Sequence, residues 1–284
     1  MAVTLSAAAC DTGSHHSGMP STEHGSMAPA SPGDTGMPGM GDMPAGDGLA
    51  ASASGFTFAP ARVSLAAGKP ESFSFQIRGS NGRPDTAFVD DQTKLMHFYL
   101  IRSDLTGFQH LHPTMAGDGT WTVPVAALQP GSYRAYAAFI TRYTAAGKQI
   151  PLILSEALTV PGTASPAPLP APATTTKVDG YTVRVGGQLM VGMTRTLTVT
   201  ISRNGTPVTD LQPYLATYAH LTAFHDGDLA FAHLHPQGSV NGDHGGPSLT
   251  FEAMLPKAGN WRLFLQFQTG GSLHTAAITL TVGS

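Results

Sequence analysis

At 284 residues the chain has room for about two domains. Its charged share of 12%, about half the usual one, and its 33 glycines and 22 prolines favour strands and turns over long amphipathic helices. A net charge of -3 carries no basic footprint for nucleic acid, a single Cys precludes an intrachain disulfide, and no run approaches the roughly 18 apolar residues that span a bilayer.

In chain order, the first signal is Leu5-Ser6-Ala7-Ala8-Ala9-Cys10. It resembles the tail of a bacterial lipoprotein signal, in which the Cys is lipidated, although Ala7 stands where Leu is commoner. The basic and apolar regions of such a signal are missing, so the true start is expected further upstream. Lipidation at Cys10 would make the membrane a partner only through that anchor. Residues 11 to 48 are low in complexity, with His15, His16 and His24 and several Met among Gly, Ser, Pro and Asp. Such a segment cannot fill a core, so disorder is expected up to about residue 54. Met37, Met40 and Met43 recur every third residue and would line one side of a polyproline II helix. Thioethers suit Cu(I) and imidazole suits either copper state.

Residues 55–160 read as a first β-sandwich. Phe56-Thr57-Phe58, Arg62 to Leu65 and Ser72 to Ile77 alternate with period two, and Trp121 to Val123, Tyr133 to Thr141 and Leu152 to Val160 follow. Residues 161–176, rich in Pro, Ala and Thr, read as a semi-stiff linker. Residues 177–284 repeat the plan, with strands expected at Tyr181 to Val185, Thr196 to Ser202, Leu249 to Met254, Trp261 to Phe267 and His274 to Val282. The fold class is all-β: two tandem immunoglobulin- or cupredoxin-like sandwiches behind a Met/His-rich tail.

Each half carries one hairpin with the same histidine spacing. His97, His110 and His112 become His220, His233 and His235 with a constant offset, and both copies end in His-Leu-His-Pro. In a hairpin, residues two apart and residues directly opposed share a face. A Gly227-Asp228 turn sets His220 opposite His235, and an Asp226-Gly227 turn sets it opposite His233. Either register puts all three imidazoles of a hairpin on one face, with Cα separations of about 5 to 7 Å. That face also carries Tyr99, Ile101 and Phe108 in one copy and Phe224 and Phe231 in the other, so a packed apolar face is the competing reading. His274, opposite Phe267 across a Gly270-Gly271 turn, is a fourth candidate in the second sandwich, where the first has Leu152. On this count the second sandwich is expected to hold metal more tightly. Met96 should face away from His97.

The run His-Leu, then Asp-Leu-Ala-Phe-Ala-His-Leu-His-Pro, then Ala258 to Phe267, resembles a family of mostly uncharacterised bacterial envelope proteins. These are often described as copper- or heavy-metal-associated, with a fold similar to cupredoxin and immunoglobulin sandwiches. The likeness is good over 220–282 and looser over 94–140. It implies an envelope location and a sandwich fold. Blue-copper chemistry is not expected, since the one Cys is Cys10. Hydrolase elbows, phosphate loops and zinc-protease helices are missing too, so an enzyme is not expected. The expected function is binding or buffering of copper, with zinc as the other metal that suits imidazole. The alternative is a structural or adhesive envelope module whose histidines only pack and hydrogen-bond.

Overall fold

The computed structural model describes residues 47–142, 148–242 and 244–284, the side chain of His233 excepted. Among these residues every regular element is a strand. Cys10, Met37, Met40 and Met43 lie outside them.

The first sandwich is built from β1 (Ser52–Ala53), β2 (Phe56–Pro60), β3 (Glu71–Arg78), β4 (Phe88–Val89), β5 (His97–Arg102), β6 (Gln109–Leu111), β7 (Thr114–Met115), β8 (Thr120–Val125), β9 (Gly131–Thr141) and β10 (Pro151–Val160). One sheet runs β1-β2-β3-β8-β7, the other β10-β9-β5-β6 with β4 on β9. The second sandwich follows with β11 (Thr175–Val178), β12 (Tyr181–Gly186), β13 (Thr194–Arg203), β14 (Thr206–Pro207), β15 (Ala219–His225), β16 (Phe231–Pro236), β17 (Ser248–Met254), β18 (Gly259–Thr269) and β19 (Ser272–Val282). Its sheet is continuous, β11-β12-β13-β17-β16-β15-β18-β19, with β14 on β13. These are tandem immunoglobulin-like sandwiches.

The His-Leu-His-Pro motif makes the corner at which the chain changes layer. In the second sandwich, Phe231 to Leu234 pair with β15, while His235 and Pro236 pair with β17. In the first, the chain breaks at His112-Pro113 between β6, which pairs with β5, and β7, which pairs with β8. A proline gives up a ladder hydrogen bond, so it suits the end of a strand that must turn.

Each sandwich has its own core. Phe73, Phe75, Phe98 and Trp121 fill the first, and Leu197, Phe251, Trp261 and Phe267 the second. A third apolar cluster lies between them. It joins Tyr99, Ile101, Tyr136 and Ile153 to Phe224, Leu229, Phe231 and Phe264. The outer faces of β5 and β9 therefore meet those of β15 and β18, and β5 and β15 are buried on both sides. Phe108 stacks on Phe264 with ring centroids 4.2 Å apart, and the Tyr136 hydroxyl donates to the Leu229 carbonyl.

Two expectations need correction. Arg62 to Leu65 is not a strand. It touches β10 only through the Ser64–Thr159 bridge and the bonds beside it, and Val63 stays exposed. Order begins before residue 54. Phe231 N–H donates to the Asp47 carbonyl and Ser155 N–H to that of Ala50, while Arg134 reaches the Leu49 carbonyl. Lys257 pairs with Asp47 at 3.0 Å. Residues 47–51 thus strap the two sandwiches together. Gly48 sits there at φ +69°, where a Cβ would come within 3.0 Å of that of Phe231, so only glycine fits. The linker, expected to be semi-stiff, is held by bonds to both sandwiches. Ala167 N–H donates to Asp104, Arg102 reaches the Ser165 carbonyl, Ala173 N–H donates to Thr279, and Leu169 packs against the interface cluster.

Candidate metal centre

The hairpin registers set the histidine faces. In the first copy Phe98 opposes Leu111 and Tyr99 opposes His110, which continues to His97 opposite His112. In the second, Leu221 opposes Leu234 and Thr222 opposes His233, the register of a Gly227-Asp228 turn, and His235 then pairs with Glu252 of β17. Strand alternation then places the three positions of each copy on one face, and the Gly227-Asp228 register is the one adopted. Met96 turns into the first core, as its alternation requires.

That face is the buried one between the sandwiches. His97 is 1% exposed, His110 8% and His220 0%. One nitrogen from each of His97, His110 and His112 lies within 4.8 Å of the other two. His97 Nδ1 and His110 Nε2 are 3.0 Å apart. The far nitrogen of each of these two rings meets an oxygen. His97 Nε2 faces the Asp91 carbonyl at 3.0 Å, and His110 Nδ1 faces Gln266 Oε1 at 2.7 Å. His112 Nε2 is buried with no hydrogen-bond partner among the described residues. Burial lowers the His97 imidazole, and burial, with His97 nearby, pushes His112 down to about 4. Both rings are therefore neutral at pH 7 and hold lone pairs that need no proton removed.

His220 joins from the second sandwich as a packed and bonded ring. It stacks on His110 with centroids 4.6 Å apart and on His97 at 5.7 Å. Its Nε2 meets the Tyr99 hydroxyl at 3.0 Å, and its Nδ1 meets Gln92 Oε1 at 3.0 Å. Tyr99 itself stacks on His110 at 4.4 Å, and burial holds its phenol well above the usual range.

His274 lies elsewhere. It opposes Phe267, as its turn requires, but His220 opposes Gln266, so the two histidines point from opposite faces of the sheet. Its ring contacts Tyr181 and Phe267, and its nitrogens bond Asp179 at 2.8 Å and Thr269 at 3.1 Å. His274 therefore does not join His220 in a four-imidazole set, and among the described residues the convergent set is that of His97, His110 and His112. His235 is half-buried across from Glu252. Gln92 and Gln266 were missed from sequence, and Tyr99 was read there only as part of the apolar face. Gln266 had left a signal, a polar residue within the apolar run Leu263 to Phe267.

Residues 176–284 match a family model described as a domain of unknown function, DUF8832. No curated protein matches the chain. Similar solved structures include the Escherichia coli adhesin FdeC, at 15% identity and TM-score 0.25 over 82% of this chain and 65% of that one. The Yersinia pseudotuberculosis adhesin InvE is similar at 16% identity and TM-score 0.24, over 85% and 61% respectively. InvD of the same organism is similar at 14% and 0.24, over 81% and 58%. The chain thus spans less than two thirds of each. The sandwich assignment rests on strand register, not on likenesses of this size.

Proposed function

We propose that this chain is an extracytoplasmic envelope protein that binds or buffers copper at His97, His110 and His112. One observation carries the reading: His97 Nδ1 and His110 Nε2 converge to 3.0 Å while the far nitrogen of each ring faces an oxygen. Metal-bound histidines nearly always give their second ring N–H to a carbonyl, carboxylate or water. Here the far nitrogens of His97 and His110 face the Asp91 carbonyl and Gln266 Oε1, the acceptors such a site needs, and their other nitrogens converge. Nitrogens about 2.0 Å from a tetrahedral ion sit about 3.3 Å from each other, so the 3.0 Å separation needs only a small adjustment. His112 adds a third nitrogen with no other bond to lose. The Met/His segment before residue 47 would capture metal, and Cys10 would anchor the chain. The same nitrogens suit zinc.

Competition titration of the full chain with Cu(II), Cu(I) and Zn(II) tests this, against His112→Leu. Copper held through competition with a strong chelator, and lost with His112, supports the reading, since Cu(II) exceeds Zn(II) at most imidazole sites and tighter copper alone decides nothing. Tighter zinc makes it a zinc protein. A second reading is a structural surface module in which the histidines only pack. His220 favours it, since both its nitrogens are bonded to protein groups across the interface. On that reading His112→Leu leaves metal uptake unchanged.

A further inference from the structure

Gln266 belongs to the second sandwich, yet it bonds a histidine of the first. The roles along this chain of bonds are constrained. The Asp91 carbonyl only accepts, so His97 carries its proton on Nε2 and offers a lone pair at Nδ1. His110 Nε2, 3.0 Å away, either donates a proton to that lone pair or points a second lone pair at it. The far side of the His110 ring decides which. With the amide oxygen of Gln266 toward it, Nδ1 carries the proton and Nε2 holds a lone pair, so His97 Nδ1 and His110 Nε2 can both turn lone pairs to one cation. With the amide turned by half a revolution, its NH2 donates to Nδ1. His110 Nε2 then carries the proton, and the chain from Gln266 to Asp91 closes as a neutral relay. An amide can play both parts because it has an acceptor and donors on one planar group. Gln266 presents Oε1, at 2.7 Å, and is 4% exposed, so no bulk water substitutes for it.

We propose that Gln266 is a positioning residue by which the second sandwich sets the metal affinity of the first: its amide oxygen bares His110 Nε2 for metal, and its NH2 closes the site. The inference rests on the reading of His97, His110 and His112 as a metal centre. Linkage makes the coupling reciprocal, so metal held by the three histidines also holds Gln266, and with it the second sandwich, against the first.

The test compares the full chain with Gln266→Glu, which when ionised can only accept, and Gln266→Leu, which can do neither. Gln266→Met serves as a second apolar shape should the Leu chain fold poorly. Cu(II) and Zn(II) affinities are measured by chelator competition. Ring-nitrogen NMR of the metal-free chains reads which His110 nitrogen carries hydrogen. The Leu or Met chain is expected to lose roughly 10- to 100-fold in affinity. The Glu chain should bind at least as tightly as the parent, with His110 protonated at Nδ1. A purely structural role predicts that Glu and Leu weaken binding alike and leave the His110 tautomer where it was. That result, or a Leu chain that binds like the parent, overturns the inference while leaving the metal centre standing. A parent chain that takes up no metal overturns the metal centre itself, and this inference with it.

Discussion

Phe224→Ala offers the sharpest probe of the interface. Phe224 is fully buried on the outer face of β15. It contacts Phe231 and Phe264 of its own sandwich, at 5.5 and 6.0 Å between centroids. It also contacts Tyr136 and Phe108 of the other, at 5.4 and 5.9 Å. Truncating a buried Phe costs about 3–5 kcal/mol, from lost transfer energy and the cavity left behind. For a body of this size that corresponds to a fall in melting temperature on the order of 10 °C. The two tryptophans provide one reporter per sandwich, Trp121 in the first and Trp261 in the second. Chains retaining one or the other Trp would be melted and followed by fluorescence. If the third cluster couples the sandwiches, the parent transitions coincide, and Phe224→Ala lowers both midpoints. A Trp261 midpoint that falls while that of Trp121 stays put would show that Phe224 stabilises only its own sandwich.

Other outcomes follow from the same geometry. His112→Leu removes a buried nitrogen with no hydrogen-bond partner among the described residues, so the metal-free chain should melt at the same temperature or higher while metal affinity falls at least tenfold. Starting the chain at residue 52 rather than 47 removes several strap hydrogen bonds and should cost roughly 2–4 kcal/mol in a denaturant melt, whereas equal midpoints would show that the strap adds nothing. At Asp104, burial opposes the charge, but the bonds from Arg102, Thr106 and Ala167 outweigh it and hold the carboxyl well below the usual carboxylate range. A depressed carboxyl stabilises the fold above the unfolded value of about 3.9 and loses that contribution as pH falls below it. The stability gap between the parent and Asp104→Asn should therefore be full at pH 5 and shrink below pH 4 in a pH series of melts.

Much of the architecture was legible because strand alternation is local. The period of two was enough to put His97, His110 and His112 on one face and Met96 on the other. Tyr99, Phe108, Phe224 and Phe231 already showed that both histidine faces were apolar. What could not be read was that the two faces cover each other, because nothing local states which outer face meets which. The misplacement of His274 has the same origin. Its own hairpin register was correct, but its face relative to His220 is fixed by the pairing of Ala219 with Phe267 and of His220 with Gln266, between strands far apart in the chain. The expected fourth ligand of the second sandwich is lost for that reason. His220 spends its nitrogens on Tyr99 and Gln92 of the first sandwich, and Gln266 supplies the acceptor that His110 needs. The strap at 47–51 was hidden by composition. Asp-Gly-Leu-Ala reads as more tail, and only Phe231, Ser155 and Arg134 make it structure.

The central claim is that three histidines of the first sandwich hold one ion, and X-ray absorption at the copper edge tests it most directly. The sample is a chain beginning at residue 47, loaded with copper and freed of excess metal, so that the Met/His segment contributes no ligands. The account predicts one copper per chain with three imidazole nitrogens at about 2.0 Å, and loss of that signal in His112→Leu. Copper that washes away, or an unchanged spectrum in the His112→Leu chain, would contradict it.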